Sequence, residues 1–86
     1  MKKILVFIAD GFEEIEALSV VDVLRRAELK CDLCSIKEEY VRGTHNITVK
    51  SDCIIDNINQ DEYDAIVLPG GLPGADNLLD KRVKDM

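Results

Sequence analysis

An open, mainly parallel α/β sheet is the architecture this sequence predicts, and three observations carry the prediction. Ile4-Leu5-Val6-Phe7-Ile8 is a continuous apolar run rather than an alternating one, as a strand covered on both faces requires. A segment with apolar residues at helical spacing follows it, and then a second strand-like run. The sharpest break, Pro69-Gly70-Gly71-Leu72-Pro73-Gly74, comes directly after another apolar run, Ala65-Ile66-Val67-Leu68. Strands that alternate with helices are joined by right-handed crossovers into parallel sheets.

Each element has its own signals. After the first strand, Asp10-Gly11-Phe12 supplies turn chemistry, and Glu13, Glu14 and Glu16 stand where a helix's first turn favours negative charge. The helix is predicted over 13–27. Residues 29–36 form the second strand, closed by the charged Lys37-Glu38-Glu39. Short β-like pieces at 40–42 and 47–50 surround Gly43-Thr44-His45-Asn46 and predict a hairpin flap beside the main sheet. Residues 52–64 read as a polar connection anchored by Ile54, Ile55 and Ile58, with a helical turn in it. Residues 65–68 form the next buried strand, and a further helix begins near Ala75 or Asp80.

Composition limits what such a sheet does. The 86 residues carry 11 Lys and Arg against 17 Asp and Glu, a net charge of -6, with 47% hydrophobic and 33% charged residues. That balance excludes disordered, collagen-like and coiled-coil chains. The acidic excess argues against a nucleic-acid partner, because neutralising phosphates needs clustered Lys and Arg. No run approaches the roughly 20 apolar residues of a membrane span. Met1-Lys2-Lys3 before an apolar run imitates a signal peptide, but the run reaches Asp10 without a small-residue cleavage site. With three cysteines, an odd number, and no secretory signal, the reading is a reducing, cytoplasmic compartment. Sheets of this kind have about five or more strands. The sequence supplies three long ones, so residues 1–86 are expected to be one half of a larger domain.

Several residues have the chemistry for a site. Glu16 shares a helical stripe with Val20, Val23, Leu24 and Ala27, so its carboxylate is expected to be partly desolvated, with a raised pKa, as a general acid or base. The competing reading is a first-turn glutamate serving the helix dipole, which is also the role expected of Glu13 and Glu14. Ile15, Leu18, Asp22 and Arg25 form a second, mixed surface, either an oligomer contact or a face covered by the flap. The 69–74 turn places backbone N–H groups at the carboxyl end of the sheet, where open α/β folds bind ligands and adjacent donors suit an oxyanion. It equally reads as a tight strand-to-helix turn, and it lacks the spacing of a phosphate loop.

Cys31 and Cys34 have C-x-x-C spacing but lie within a strand, where residues three apart face opposite sides; they are expected to be buried structural thiols. Cys53 follows Asp52, whose charge is expected to raise the thiol's pKa. His45 is the one histidine and has no accompanying ligand cluster in the sequence, so no metal site is expected.

Three segments together resemble a known family: 3–16, with Gly11-Phe12-Glu13-Glu14-Ile15-Glu16; 21–27, Val21-Asp22-Val23-Leu24-Arg25-Arg26-Ala27; and 63–71, ending in Leu68-Pro69-Gly70-Gly71. In this order they are similar to the amino-terminal half of the ThiJ/PfpI family, the group that includes the Parkinsonism-linked protein deglycase. The resemblance implies a flavodoxin-like sandwich with a mainly parallel sheet, of the class I glutamine amidotransferase-like kind, with only the amino-terminal half present. It further implies a cofactor-independent cysteine enzyme that is usually a homodimer. Glu16 then matches the glutamate that hydrogen-bonds the nucleophilic thiol, and Gly71, with Gly70 shaping the turn, matches the oxyanion donor. Ile15 and Arg26 fall on the first-helix surface used for dimerisation. His45 falls in the flap, where relatives often place an arginine, and is grouped with that interface.

The family's nucleophilic cysteine, typically in A-x-C-x-G, and its later histidine have no match between Met1 and Met86. The resemblance therefore requires a companion chain or segment to supply the thiol, and this chain alone is expected to be inactive. Reactive carbonyls or their adducts are the substrates implied by deglycase- and glyoxalase-like relatives. Peptidase or amidase chemistry uses the same parts, and a non-enzymatic redox sensor or chaperone is the alternative from a different class.

Overall fold

The structure, a computed structural model, describes residues 2–69. Its centre is strand β1 (Lys3–Ile8), flanked in parallel by β2 (Lys30–Ser35) on one side and β6 (Ala65–Val67) on the other. A two-residue strand, β5 (Cys53–Ile54), extends the sheet beyond β2, giving the order β5-β2-β1-β6. The antiparallel pair β3 (Tyr40–Arg42) and β4 (Thr48–Lys50) stands apart as the expected flap.

The unbroken apolar run of β1 is explained by its position, for it has a core on each side. Leu5, Phe7 and Ala9 join Cys34, Ile36 and Ile55 on one face, with Cys53, Ile58 and Tyr63 packed around them. Val6 and Ile8 join Cys31, Leu33 and Val41 on the other, under helix α1 (Glu14–Arg26). Cys31 and Cys34 thus enter opposite cores, both buried, as their spacing predicts.

The helix is where predicted, but its phase is not. Ala17 and Val21 form its buried line, with Leu18, Val20 and Leu24 packed beside them, and Glu14 heads that line. Glu16, expected on the buried stripe, is exposed, and its stripe partner Val23 is 61% exposed. A shift of two residues turns a helix by roughly 200°, which exchanges the inner and outer glutamates.

Helix α1 ends in a Schellman turn: Glu28 N–H donates to Arg25 O at 3.0 Å and Leu29 N–H to Leu24 O at 3.1 Å. Glu28 holds the left-handed conformation such a turn needs, at φ 64°. Glycine adopts it without the Cβ penalty. Glu28→Gly is therefore expected to stabilise the protein by about 1 kcal/mol, read as a higher urea midpoint at unchanged slope; a lower midpoint would contradict it.

Two sequence expectations need correction. Strand β6 is present but not buried: it forms the sheet edge, with Ile66 39% and Leu68 57% exposed. An apolar run records the capacity for burial, and among the described residues no strand pairs beyond β6. The 52–64 segment has the helical turns expected of it, at Ile55–Asn57 and Gln60–Glu62, but also contains strand β5, which the sequence does not predict. The turn 70–74 and the helix expected near Ala75 or Asp80 lie outside the described residues. No helix among those described is long and apolar enough to cross a membrane.

Candidate active site

The chain leaves β1, crosses through α1 to β2, and later returns to β6 on the opposite side of β1. β1 and β6 pair in parallel, so their carboxyl ends lie side by side, at the end of an open α/β sheet where ligands bind. The start of α1 follows β1 and Pro69 follows β6, so Glu16 and Pro69 stand at that same end of the sheet. Gly70 and Gly71 themselves lie outside the described residues. Pro69 is buried, while Glu16 is exposed.

The β1–α1 loop is fastened to the flap. Gly11 N–H donates to Arg42 O at 2.9 Å, and Thr44 N–H to Phe12 O at 2.9 Å. Gly11 holds φ 87°, a region that glycine enters without steric cost. This fastening lets Glu14 reach the flap turn. One Glu14 oxygen accepts from the backbone N–H of His45 at 2.8 Å and of Ile47 at 3.3 Å; the other lies 2.9 Å from His45 Nδ1. Gly43 has no room for a Cβ, which would overlap the Glu14 carboxyl.

Glu14 is only 3% exposed, yet it is held ionised. Burial works against the charge, but the His45 side chain and the backbone donors at Glu14, His45 and Ile47 outweigh it and bring the carboxyl down to about 2. Reciprocally, the Glu14 hydrogen bond raises His45 above its ordinary value, helped by the charges of Glu14 and Glu13. Donor atoms of Glu13, Glu14 and His45 lie within 4.8 Å of one another. The Glu14 oxygens are already engaged by the flap, so the cluster is a clamp between helix and hairpin.

Glu14 stands in the first turn of α1, as expected, and has a structural role besides. The sequence does contain the signal: Glu14, Ala17, Leu18, Val21 and Leu24 run at helical spacing, with Glu14 leading. Ile15 is 79% exposed, and Arg26, eleven positions along the same face, is ion-paired with Asp22 at 3.1 Å. His45 lies in the flap turn, exposed apart from its Glu14 contact.

A second tie binds the far end of α1 to the sheet. Arg25 Nη2 donates to Asp52 Oδ2 at 2.7 Å and to Cys31 O at 2.8 Å, while the same Asp52 oxygen accepts from Leu33 N–H at 2.8 Å. Asp52 therefore serves the β2 edge, a role that needed the long-range pairing to be seen.

A parallel sheet with this strand order and a flap clamped to the first helix define an α/β protein with a mainly parallel sheet. Residues 2–86 match the DJ-1/PfpI family, to which the chain belongs. It is 37% identical to protein DJ-1 homolog B of Arabidopsis thaliana, covering 96% of this chain and 20% of that protein. It is 36% identical to deglycase PfpI of Pyrococcus furiosus, over 80% of this chain and 42% of that one. The oxidised Toxoplasma gondii DJ-1 structure superposes with a TM-score of 0.93 at 38% identity, covering 99% of this chain and 47% of the other. The chain thus spans less than half the length of these relatives.

Proposed function

We propose that residues 1–86 are the amino-terminal half of a single domain of a cofactor-independent cysteine enzyme acting on reactive carbonyls or their adducts. The observation that carries the reading is the parallel β1–β6 pairing, with the start of α1 following β1 and, in the sequence, Pro69-Gly70-Gly71 following β6. The similar protein of Pyrococcus furiosus is a deglycase. The nucleophilic thiol comes from a segment outside this chain.

In this mechanism the thiolate attacks the aldehyde carbon, and the carbonyl oxygen takes up negative charge. Gly71 N–H stabilises that oxyanion, with Gly70 allowing close approach. Glu16 hydrogen-bonds the thiol and handles a proton. Its exposure supports this role, since a side chain turned away from both cores is available to a group arriving from elsewhere. The exposed Ile15, with Arg26 on the same helix face and His45 on the flap, supplies the homodimer contact.

Methylglyoxal consumption by the complete protein, with and without Glu16→Gln, tests the reading. A loss of turnover on the order of 100-fold or more is expected for the variant. Unchanged turnover removes Glu16 from the mechanism, and an inactive parent protein removes the carbonyl chemistry.

A further inference from the structure

Cys34 and Cys53 face each other across the outer strand pair. They are direct register partners in the parallel strands β2 and β5, so their side chains leave the sheet on the same side. Neighbouring strands lie about 4.8 Å apart, within the roughly 4.4–6.8 Å of Cα separation that a disulfide spans. Both thiols are free, and each donates to a backbone carbonyl of β2, Cys34 Sγ to Ser35 O at 3.6 Å and Cys53 Sγ to Leu33 O at 3.9 Å.

Their surroundings are unequal. Cys34 is fully buried among Leu5, Phe7 and Ile36, whereas Cys53 lies on the sheet edge and is partly exposed. We propose that Cys53 and Cys34 form a redox couple, in which Cys53 reacts with hydrogen peroxide and Cys34 resolves the product into a reversible disulfide. This couple lies on the β2–β5 side of the sheet, away from the β1–β6 pair, and does not depend on the carbonyl chemistry proposed above.

The chemistry balances in two steps. The Cys53 thiolate attacks one peroxide oxygen, the O–O bond breaks, and the departing hydroxide takes a proton to become water. Cys53 is now a sulfenic acid, oxidised by two electrons, and the peroxide is reduced by the same two. The Cys34 sulfur then attacks Cys53, the S–S bond forms as the S–O bond breaks, and the leaving hydroxide departs as water with the Cys34 proton. Overall, two thiols and one peroxide yield one disulfide and two waters.

The electrostatics favour this order of events. The adjacent Cys34 thiol lowers Cys53, outweighing its partial burial and the nearby charges of Asp32 and Asp52. The same neighbour relation, followed by burial, raises Cys34 and keeps its proton in place. The expectation that acidic neighbours would raise Cys53 is thus reversed, because the register partner beside it outweighs charges at longer range. Burial and the Asp32 carboxylate likewise hold the proton on Tyr63, whose hydroxyl donates to Asp32 at 2.6 Å beside the pair. Cys31 sits on the opposite face of β2 and takes no part.

The test is peptide mapping of the full chain after brief hydrogen peroxide treatment and alkylation, digested without reductant. The expected product is a Cys34–Cys53 linked peptide pair that dithiothreitol abolishes, with Cys31 alkylated. Cys34→Ala is expected to shift Cys53 to sulfinic acid, and Cys53→Ser to leave Cys34 reduced. Wild-type protein in which Cys53 becomes sulfinic without a link, in which the link runs through Cys31, or in which both thiols survive overturns the proposal. The wild-type map decides the matter even if the buried Cys34→Ala variant does not fold.

Discussion

Glu14→Gln is expected to release the β3–β4 flap from α1 while leaving the central sheet in place. The wild-type carboxylate serves two backbone N–H groups and the His45 ring, whereas a neutral amide loses the charge-assisted strength of each contact. Amide hydrogen exchange at His45 and Ile47 should accelerate by on the order of tenfold or more, with little change in β1. Unaltered exchange would show that the flap is held by its backbone contacts to Gly11 and Phe12 alone.

The same clamp carries a pH signature with two limbs of opposite origin. The Glu14 carboxyl sits at about 2 in the fold against an ordinary 4.5, so its contribution is fully present above 4.5 and is lost as pH falls toward 2. His45 is raised above its ordinary 6.5, so its contribution is complete below 6.5 and is lost as pH rises through the folded value. Flap protection should therefore be greatest from about pH 4.5 to 6.5 and fall on either side. His45→Gln is expected to remove the alkaline limb and keep the acid one. A variant with both limbs intact would assign the alkaline loss to another group.

Phe7→Ala has the largest expected cost in stability. Phe7 lies on the central strand with 0% exposure, paired in register with Cys34 and packed between Leu5 and Ala9. Removing a buried phenyl ring costs about 3–5 kcal/mol through lost transfer energy and the cavity left behind. Total stability of a domain is only about 5–15 kcal/mol, so the variant should be largely or wholly unfolded at room temperature. Val23→Ala on the exposed side of α1, where Val23 is 61% exposed, is the matched control, with a change within about 0.5 kcal/mol. Urea unfolding followed by circular dichroism distinguishes them, and a Phe7→Ala loss below about 1 kcal/mol would mean that the core refills the space.

Much of the architecture is legible in the residue order. Ile4 to Ile8 announce a doubly covered strand because no alternation is needed when both faces are buried. The helix, second strand and hairpin each have local signals, and the structure places them within one or two residues of 13–27, 29–36, 40–42 and 47–50. Strand β5 is not legible, since two residues have no period and owe their strand conformation to the β2 edge they meet.

The candidate site divides along the same line. The glutamates at the start of α1 and the glycine corner after β6 are visible as residue types, and their membership of the DJ-1/PfpI family is written in the motifs they form. Which glutamate turns inward is not visible from the type, because Glu14 and Glu16 have the same chemistry and differ only in helical phase. The flap 30 residues downstream decides between them, by presenting its N–H groups to one and leaving the other in water.

For this chain, the order of residues alone determined the alternation of strand and helix, and with it a parallel sheet, because apolar periodicity and turn chemistry act over a few neighbouring positions. Tertiary structure alone decided the fate of the individual polar groups: Glu14 locked under the flap, Asp52 drawn to the β2 edge, Cys53 set against Cys34. Burial and hydrogen bonding depend on what arrives from distant parts of the chain, and that information is absent from any short window of sequence.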